Sequence, residues 1–318
     1  MISVRASAPG RCGIIGNPSD MYGGMVVSCS IPNRNHCVLN IGKSGELPQD
    51  PRLLNAVLSR YSLPEPFEVI LTSEVPMSSG LAGSTAMLAS ILLCVLEARF
   101  QLGLGDQPPI LRADSETSVR EKSDFAELVR GIERVEADVV CGFQDAYMIT
   151  FGGMQAMDFS GKNPIQPGPQ AKLESLKTDL PFLLITTGVT RSSGSVHGPL
   201  STRWLKDEQL VIKGIARISE LGRLGEESLK NQNWKELAIS MKENQTVIRE
   251  IGGSGDEVNQ VVLDAENAGA RACKLAGAGH GGTVIALTDD IEKLKSQLQG
   301  NADLKFMSPS LERGVTLD

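Results

Sequence analysis

The first residues of the chain alternate between apolar and polar positions. Residues 2 to 8 follow a period of two, which predicts a strand with one face in solvent that ends at Pro9-Gly10. Two further segments, 25–41 and 67–75, are rich in β-forming residues, and a Pro-Asn break interrupts the first of them. We expect these segments to form one sheet.

A helical pattern begins after Gly80, near Thr85. Leucine, isoleucine and valine recur there at spacings of three and four, and further apolar residues occupy the opposite side. This pattern predicts a helix that is buried on most of its faces. Residues 123–140 are also helical in pattern, whereas residues 141–161 alternate their apolar positions as a hairpin or strand would.

The second half of the chain follows a stretch rich in Pro, Gly and Lys at 161–180, which predicts a long surface connection. A new strand starts at Pro181, so we place a domain boundary after residue 178. Three helices are expected next, at 206–230, 233–250 and 255–270, and glycines then lead into a strand at 284–287.

The composition is that of an ordinary globular protein. The chain has 318 residues, of which 41% are hydrophobic and 22% charged, and these values suit two domains and exclude a disordered chain. Its 31 basic and 38 acidic residues give a net charge of -7, which would repel a nucleic acid backbone. We therefore expect no nucleic acid partner.

Cysteine and histidine usage argues against a zinc enzyme. The six cysteines form no CxxC pair and the three histidines form no HExxH motif, a usage typical of free thiols in a reducing compartment. The N-terminus has no apolar signal core, and the longest apolar run, from Ala86, is shorter than the roughly 18 residues of a membrane span. We expect a soluble, cytoplasmic protein with no membrane partner.

Three segments concentrate Gly, Ser and Pro, at 8–24, 76–86 and 277–283. The third has glycines at GxGxxG spacing, but a strand follows it, whereas the dinucleotide motif must open a helix. The Gly-Lys-Ser at 42–44 has Cys37 where a Walker A loop requires its first glycine. A nucleotide must therefore be held in another way.

The second of these segments leads directly into the predicted buried helix. The start of a helix carries free backbone N–H groups and the positive end of its dipole, and small residues there let a phosphate approach closely. The sequence SSGLAGS therefore predicts a phosphate site. A serine-capped helix with a glycine turn explains the same residues equally well.

Asp145 is the strongest acid or base candidate, because it follows Gly142-Phe143-Gln144 at the junction of a helical run and an apolar stretch. The alternative for Asp145 is a helix or turn cap. Glu136, on the preceding predicted helix, has the plainer alternative of a solvated helix face.

Several strings, taken in order, resemble the three motifs of the GHMP kinase superfamily, and within it they are most similar to the glucuronokinases. They are GNPSD at 16–20, GLAGSTA at 80–86, GFQD at 142–145, FGG at 151–153, MDFSG at 157–161, SGSVH at 193–197 and RWL at 203–205. They extend over most of the chain.

This resemblance implies an α+β fold of two domains with the active site in the cleft between them. Residues 1–178 would form the N-terminal domain, which resembles domain 2 of ribosomal protein S5, and residues 179–318 a ferredoxin-like C-terminal domain. The implied reaction is transfer of the γ-phosphoryl group of ATP, with Mg²⁺, to the anomeric hydroxyl of D-glucuronate.

The resemblance also implies roles for individual residues. Asp145 matches the catalytic aspartate and Arg11 the arginine near it, while Ser84 and Glu136 match the ligands of Mg²⁺, with Glu133 as a second register for the glutamate. Gly277, Gly279 and Gly281 match the glycine-rich loop that closes over the phosphates. The phosphate loop matches Pro76, Ser79, Gly80, Leu81, Ala82, Gly83, Ser84, Thr85 and Ala86.

The substrate contacts are inferred from departures from the galactokinase pattern. Asn17 stands where galactokinases have an acidic residue, which argues against galactose, and Ser19 and Asp20 remain to contact sugar hydroxyls. A uronate also needs a cation for its carboxylate, and His197 and Arg203 are the candidates, unless they are surface charges on a loop.

Two alternatives stay open for the function. The acceptor of the same kinase would be galacturonate, another sugar or a mevalonate-type alcohol. In a different class, a binding protein that keeps the kinase fold without turnover would serve as a sensor of sugar or nucleotide. Retention of Ser84, Asp145 and the glycine loops together argues for catalysis.

Overall fold

The computed structural model describes residues 2–76, 78–108, 117–188, 194–277, 279, 282–301 and 303–318, with only the backbone for 194–197. Its strands are β1 (Ile2–Ile15), β2 (Met25–Ile41), β3 (Phe67–Ser73), β4 (Met154–Asp158), β5 (Lys172–Leu176), β6 (Phe182–Thr186), β7 (Ala272–Leu275), β8 (Thr283–Leu287), β9 (Lys305–Met307) and β10 (Thr316–Leu317). Its α-helices are α1 (Arg52–Arg60), α2 (Gly83–Gln101), α3 (Val119–Val135), α4 (Gln144–Phe151), α5 (Gly194–Leu205), α6 (Gln209–Lys230), α7 (Trp234–Glu250), α8 (Asp256–Asn267) and α9 (Ile291–Leu298).

Two antiparallel sheets organise these elements into an α+β fold, as predicted. The first has the strand order β10-β1-β2-β4-β5, with β3 also paired to β2, and the second has the order β7-β8-β6-β9. The three early strands therefore share one sheet, as the pattern predicted. Helix α2 packs against β1 and β2 and lies in the largest hydrophobic core.

The prediction that the first strand ends at Pro9-Gly10 is wrong, and so is the predicted break in the second strand. Both strands run on, because the pairing shifts from Pro9 opposite Arg34 to Arg11 opposite Ser30. The extra residues lie on β2 and include the Pro-Asn pair, so a bulge absorbs the residue that cannot donate to the ladder.

The prediction of a hairpin or strand at the start of 141–161 is also wrong. Residues 144–151 form α4, and only 154–158 form a strand. A residue distant in sequence supports this short helix, since the Oδ2 atom of Asp20 accepts the backbone N–H groups of Phe143 at 2.7 Å and Gln144 at 2.9 Å. An acidic side chain at this end of a helix satisfies its free amides.

The helices predicted in the second half are confirmed as α6, α7 and α8. The predicted connection at 161–180 contains a strand, β5, which the pattern did not indicate. The boundary after residue 178 stays a prediction. The chain returns to the first sheet at its last strand, where β10 pairs with β1 through Ala6 opposite Leu317.

Among the described residues, one helix, α2, has the length and composition of a membrane span. Of the 18-residue apolar stretch of α2 that gives it this composition, 78% is buried inside the protein. The helix therefore acts as a core element, and its burial on most faces confirms the pattern-based prediction. The six cysteines are free thiols, and all of them are buried.

Candidate active site

The amino end of α2 presents backbone N–H groups that no side chain satisfies within the described chain. Its N-cap residue, Ala82, has a left-handed backbone with φ of 61° and makes no side-chain cap hydrogen bond. Ser79 instead donates its hydroxyl to the carbonyl of Pro76 at 2.6 Å. The serine-capped alternative is therefore wrong, and the helix end has the free donors and positive dipole of an anion site.

The third glycine segment packs directly on this loop. A Cβ atom on Gly277 would lie 2.3 Å from the carbonyl oxygen of Gly80, and one on Gly282 would lie 2.4 Å from that of Ser79. Thr283 also donates its hydroxyl to the carbonyl of Ser79 at 3.0 Å. Glycine is needed here because the two backbones touch. Gly279 has a left-handed φ of 132°, and Gly281 lies outside the described residues.

Arg11 and Asp145 meet beside this junction. The Asp145 Oδ1 atom accepts Nε of Arg11 at 2.8 Å and Nη2 at 2.5 Å. Nη1 of the same guanidinium donates to the carbonyl of Gly80 at 2.6 Å, so one buried arginine joins Asp145 to the phosphate loop. The Asp145 side chain is 28% exposed, and its Oδ2 accepts no hydrogen bond from any described residue. One carboxylate oxygen is therefore free to face a ligand.

The acidic residue that the fold brings to α2 is Glu133, not Glu136. Both carboxylate oxygens of Glu133 accept the hydroxyl of Thr85, at 2.9 and 3.0 Å, in the first turn of α2. Glu136 follows the last residue of α3 and approaches Arg60 of α1 at 3.4 Å. The α3 face that meets α2 carries Glu133, which favours the second register, Glu133, over Glu136; the assignment of either residue as a metal ligand stays a prediction.

Burial and the charge of Asp145 raise the pKa of Glu133 to about 7. A carboxyl group whose pKa is raised on folding stabilises the protein at low pH, and this contribution is lost as pH rises from about 4.5 to about 7. In the absence of divalent cations, we expect the free energy of unfolding to fall by about 3 kcal/mol more in the wild type than in Glu133→Gln across this range. Urea unfolding at several pH values measures this difference. The control Glu136→Gln should follow the wild type, and parallel curves for the wild type and Glu133→Gln would contradict the prediction.

The structure does not place Asn17 and Ser19 as sugar contacts. Ser19 is fully buried and donates to the carbonyl of Met25 at 3.2 Å. The Asn17 amide donates to the carbonyls of Leu275 at 3.2 Å and Gly277 at 2.8 Å, and its oxygen accepts from Lys274. These two contacts are corrected, because buried side chains with satisfied polar atoms have nothing to offer a ligand.

The two carboxylate oxygens of Asp20 differ in their contacts. One oxygen supports α4, as described above, and the residue is only 2% exposed. Its Oδ1 atom accepts no hydrogen bond from the described part of the chain. Contact with a sugar through that oxygen stays a prediction.

Arg203 is not a free cation. Its guanidinium binds both carboxylate oxygens of Glu208, at 2.8 and 2.6 Å, and donates to the carbonyl of Ile251 at 2.6 Å. The proposed carboxylate contact of Arg203 is corrected accordingly, because its charge is already matched. The side chain of His197 lies outside the described residues, and the assignment of a substrate contact to His197 stays untested.

We expect Arg203→Gln to leave the KM of every acceptor within about twofold of the wild type, because the Arg203 guanidinium is already bound to Glu208 and to the carbonyl of Ile251. Steady-state kinetics measure this value. A rise in KM of tenfold or more for an anionic acceptor would restore Arg203 as a substrate contact.

The sequence reasoning missed Lys274. This residue is only 1% exposed, and its ammonium group donates to Asn17 Oδ1 and to the carbonyl of Leu275, both at 2.6 Å. Burial lowers the pKa of Lys274 to about 7. A lysine inside an apolar strand, directly before a glycine loop, is the signal that marks it. Together Lys274 and Asn17 fix the first and third glycine segments to each other.

Two models of one enzyme family match the chain. "GHMP kinases N terminal domain" matches residues 52–153, and "GHMP kinases C terminal" matches residues 226–303. The match to the first model contains the phosphate loop, Glu133 and Asp145, and the match to the second contains Lys274 and the closing glycines. Together the two models span more than half of the sequence.

Individual relatives differ in their acceptors. The chain is 23% identical to D-glycero-alpha-D-manno-heptose 7-phosphate kinase of Campylobacter jejuni, over 92% of this chain and 91% of the relative. It is 25% identical to glucuronokinase 1 of Arabidopsis thaliana, over 90% of this chain and 85% of the relative. The structure of Lactococcus lactis galactokinase with galactose superposes with a TM-score of 0.76 at 15% identity. The match covers 99% of this chain and 95% of the galactokinase chain. The latter likeness shows the fold alone.

Proposed function

Because the chain belongs to the GHMP kinase family and is a phosphotransferase acting on an alcohol group, we propose that it phosphorylates a small sugar acid or sugar phosphate. The leading acceptor is D-glucuronate, which would be converted to its 1-phosphate with ATP as donor. The observation that carries this proposal is the convergence of the uncapped amino end of α2 with the Arg11–Asp145 pair.

The geometry suggests how the residues divide the work. Free amides at the start of α2 would bind the phosphates of ATP, and the glycine segment against Gly80 would close over them. Arg11 holds one oxygen of Asp145, so the other oxygen is left to accept or orient the proton of the attacking hydroxyl. Phosphoryl transfer depends mainly on such positioning.

The oxygen atoms near α2 suit Mg²⁺. Glu133 is buried and is repelled by Asp145, so a divalent cation between them would relieve the repulsion. Ser84 adds a hydroxyl in the first turn of α2. Within the described ranges, no group of three acidic, His or Cys side chains converges. Mg²⁺ is commonly bound by one or two carboxylates together with substrate phosphates, so it does not require such a group. A bound Mg²⁺ would neutralise charge on the phosphates.

The choice of an anionic acceptor has support from the relatives. Two of them, by their names, act on a heptose 7-phosphate and on glucuronate, and both acceptors carry a negative charge beside their hydroxyls. We further propose that the enzyme is cytoplasmic and has neither nucleic acid nor membrane partners.

A coupled assay of ADP release tests the function. The acceptors are D-glucuronate, D-galacturonate, a heptose 7-phosphate, mevalonate and galactose, each with ATP and Mg²⁺. We expect the highest kcat/KM with D-glucuronate. Turnover of another acceptor in its place would overturn the glucuronate assignment and keep the kinase, whereas ATP binding without turnover of any acceptor would favour a sensor protein.

A further inference from the structure

Arg130 on α3 is a buried cation that forms no ion pair or hydrogen bond with any described residue. The residue is only 9% exposed, and its Nε atom is buried with no hydrogen-bond partner. None of its guanidinium nitrogens donates to, or pairs with, a described residue. Withdrawing a charge from water without a partner is unfavourable by several kcal/mol. Such a side chain is therefore expected to have a ligand.

The contact that the structure gives the Arg130 guanidinium is with an aromatic ring, which offers no hydrogen-bond acceptor in place of an anion. Its guanidinium lies 4.1 Å from the centre of the Phe143 ring, and the ammonium group of Lys162 lies 4.3 Å from the same ring. Lys162 is fully matched, because it binds Glu127 at 2.6 Å and the carbonyl of Pro167 at 2.5 Å. Of these two cations, Arg130 is the one that has no ion pair with a described residue.

The ring connects Arg130 to the segment that carries Asp145. Phe143 stands two residues before Asp145, so their Cα atoms are at most about 7.6 Å apart. Its backbone N–H is held by Asp20. The charge of Arg130 also acts on Glu133, whose pKa it lowers against the effect of burial. Arg130 is therefore close to both Asp145 and Glu133.

We propose that Arg130 binds the oxyanion of the acceptor, a carboxylate or a phosphate ester, while the hydroxyl at the other end of the molecule lies at Asp145. This inference rests on the proposed function and narrows its substrate class to anions. A planar guanidinium suits both groups, since it can donate two parallel N–H bonds to either. Arg203, which the sequence suggested for this task, is occupied by Glu208.

The test compares Arg130→Met with Arg130→Lys and with the control Arg120→Met, which removes an exposed charge from the same helix. For the best anionic acceptor we expect KM to rise about 10- to 100-fold in Arg130→Met, because a charged hydrogen bond is lost. The KM of ATP should stay within about twofold. Arg130→Lys keeps the positive charge but loses the two parallel N–H donors of the guanidinium. Its KM should therefore lie between those of the wild type and Arg130→Met.

Two further measurements exclude a purely structural role. The melting temperature of ligand-free Arg130→Met should equal or exceed that of the wild type, because an unmatched buried charge has been removed. Calorimetric titration with D-glucuronate, D-glucuronamide and a heptose 7-phosphate should show wild-type preference for the two anions, and that preference should be lost in Arg130→Met. The carboxylate and phosphate arms distinguish the two kinds of ligand.

The outcomes separate this inference from the proposed function. A KM for the anionic acceptor that is unchanged in Arg130→Met overturns the role of Arg130 and leaves the kinase intact. Turnover of galactose alone overturns the anionic class. If no acceptor is phosphorylated, the proposed function fails, and the titrations then decide alone: no preference for either anion over the amide overturns the inference as well.

Discussion

Replacing Asp145 by asparagine is expected to lower kcat by about 10²- to 10⁴-fold, the usual contribution of a general base. Asparagine preserves the size of the side chain but cannot accept the proton of the acceptor hydroxyl. It also leaves the buried guanidinium of Arg11 with a neutral partner in place of the carboxylate that it now binds at 2.5 Å. The KM of ATP should change by less than about threefold, because in the proposed mechanism Asp145 contacts the acceptor and not ATP.

Steady-state kinetics with saturating ATP measure this effect, and a thermal melt shows whether the variant is folded. Asp179→Asn provides the control, since it removes an exposed carboxylate far along the chain from the site. A folded Asp145→Asn variant that keeps near-normal turnover would remove Asp145 from the chemistry.

The second large effect is on stability. We expect Asn17→Leu to lower the free energy of unfolding by about 3–5 kcal/mol, because it leaves the buried Lys274 ammonium without its side-chain acceptor. It also leaves the carbonyl of Gly277 without its donor. The loss should be partly recovered in the double variant Asn17→Leu, Lys274→Met, because the unmatched charge is then absent.

Urea unfolding of the two single variants and the double variant gives the coupling between Asn17 and Lys274. The control Asn55→Leu, on the exposed face of α1, should change stability by no more than about 0.5 kcal/mol. If Asn17→Leu unfolds at the same urea concentration as the wild type but raises the KM of the acceptor, Asn17 is a sugar contact after all.

The parts of the fold that the sequence predicted well are those in which local pattern and final environment agree. Helix α2 is apolar on most sides and lies in the core, and the helices of the second half have one apolar face each. Helix α4 was missed because its support comes from Asp20, more than a hundred residues earlier. The bulge in β2 was missed because only the partner strand shows that the extra residues fit.

The residues of the candidate site also differ in how far the sequence predicts their roles. The residue types before α2 predicted a phosphate site beside an equal alternative, and the catalytic role of Asp145 came from the resemblance to the GHMP kinases; both roles stay predictions. The sequence left two registers for the glutamate, because Glu133 and Glu136 are one turn apart and no single sequence reveals the packing face of α3. Asn17, Arg203 and Arg130 show the limit most clearly, since the number of partners of a polar side chain is a property of the folded structure.

The position of β10 has a consequence for how the protein is made. Because Thr316–Leu317 pairs with β1, the first sheet receives its outer strand from a segment that the ribosome delivers after the whole second sheet. Strand β1 must then wait, without this partner, until the chain as far as Leu317 has been made. An unpaired edge is a site of misassembly between nascent chains, so we expect the yield of soluble protein to respond to chaperones that shield it during synthesis.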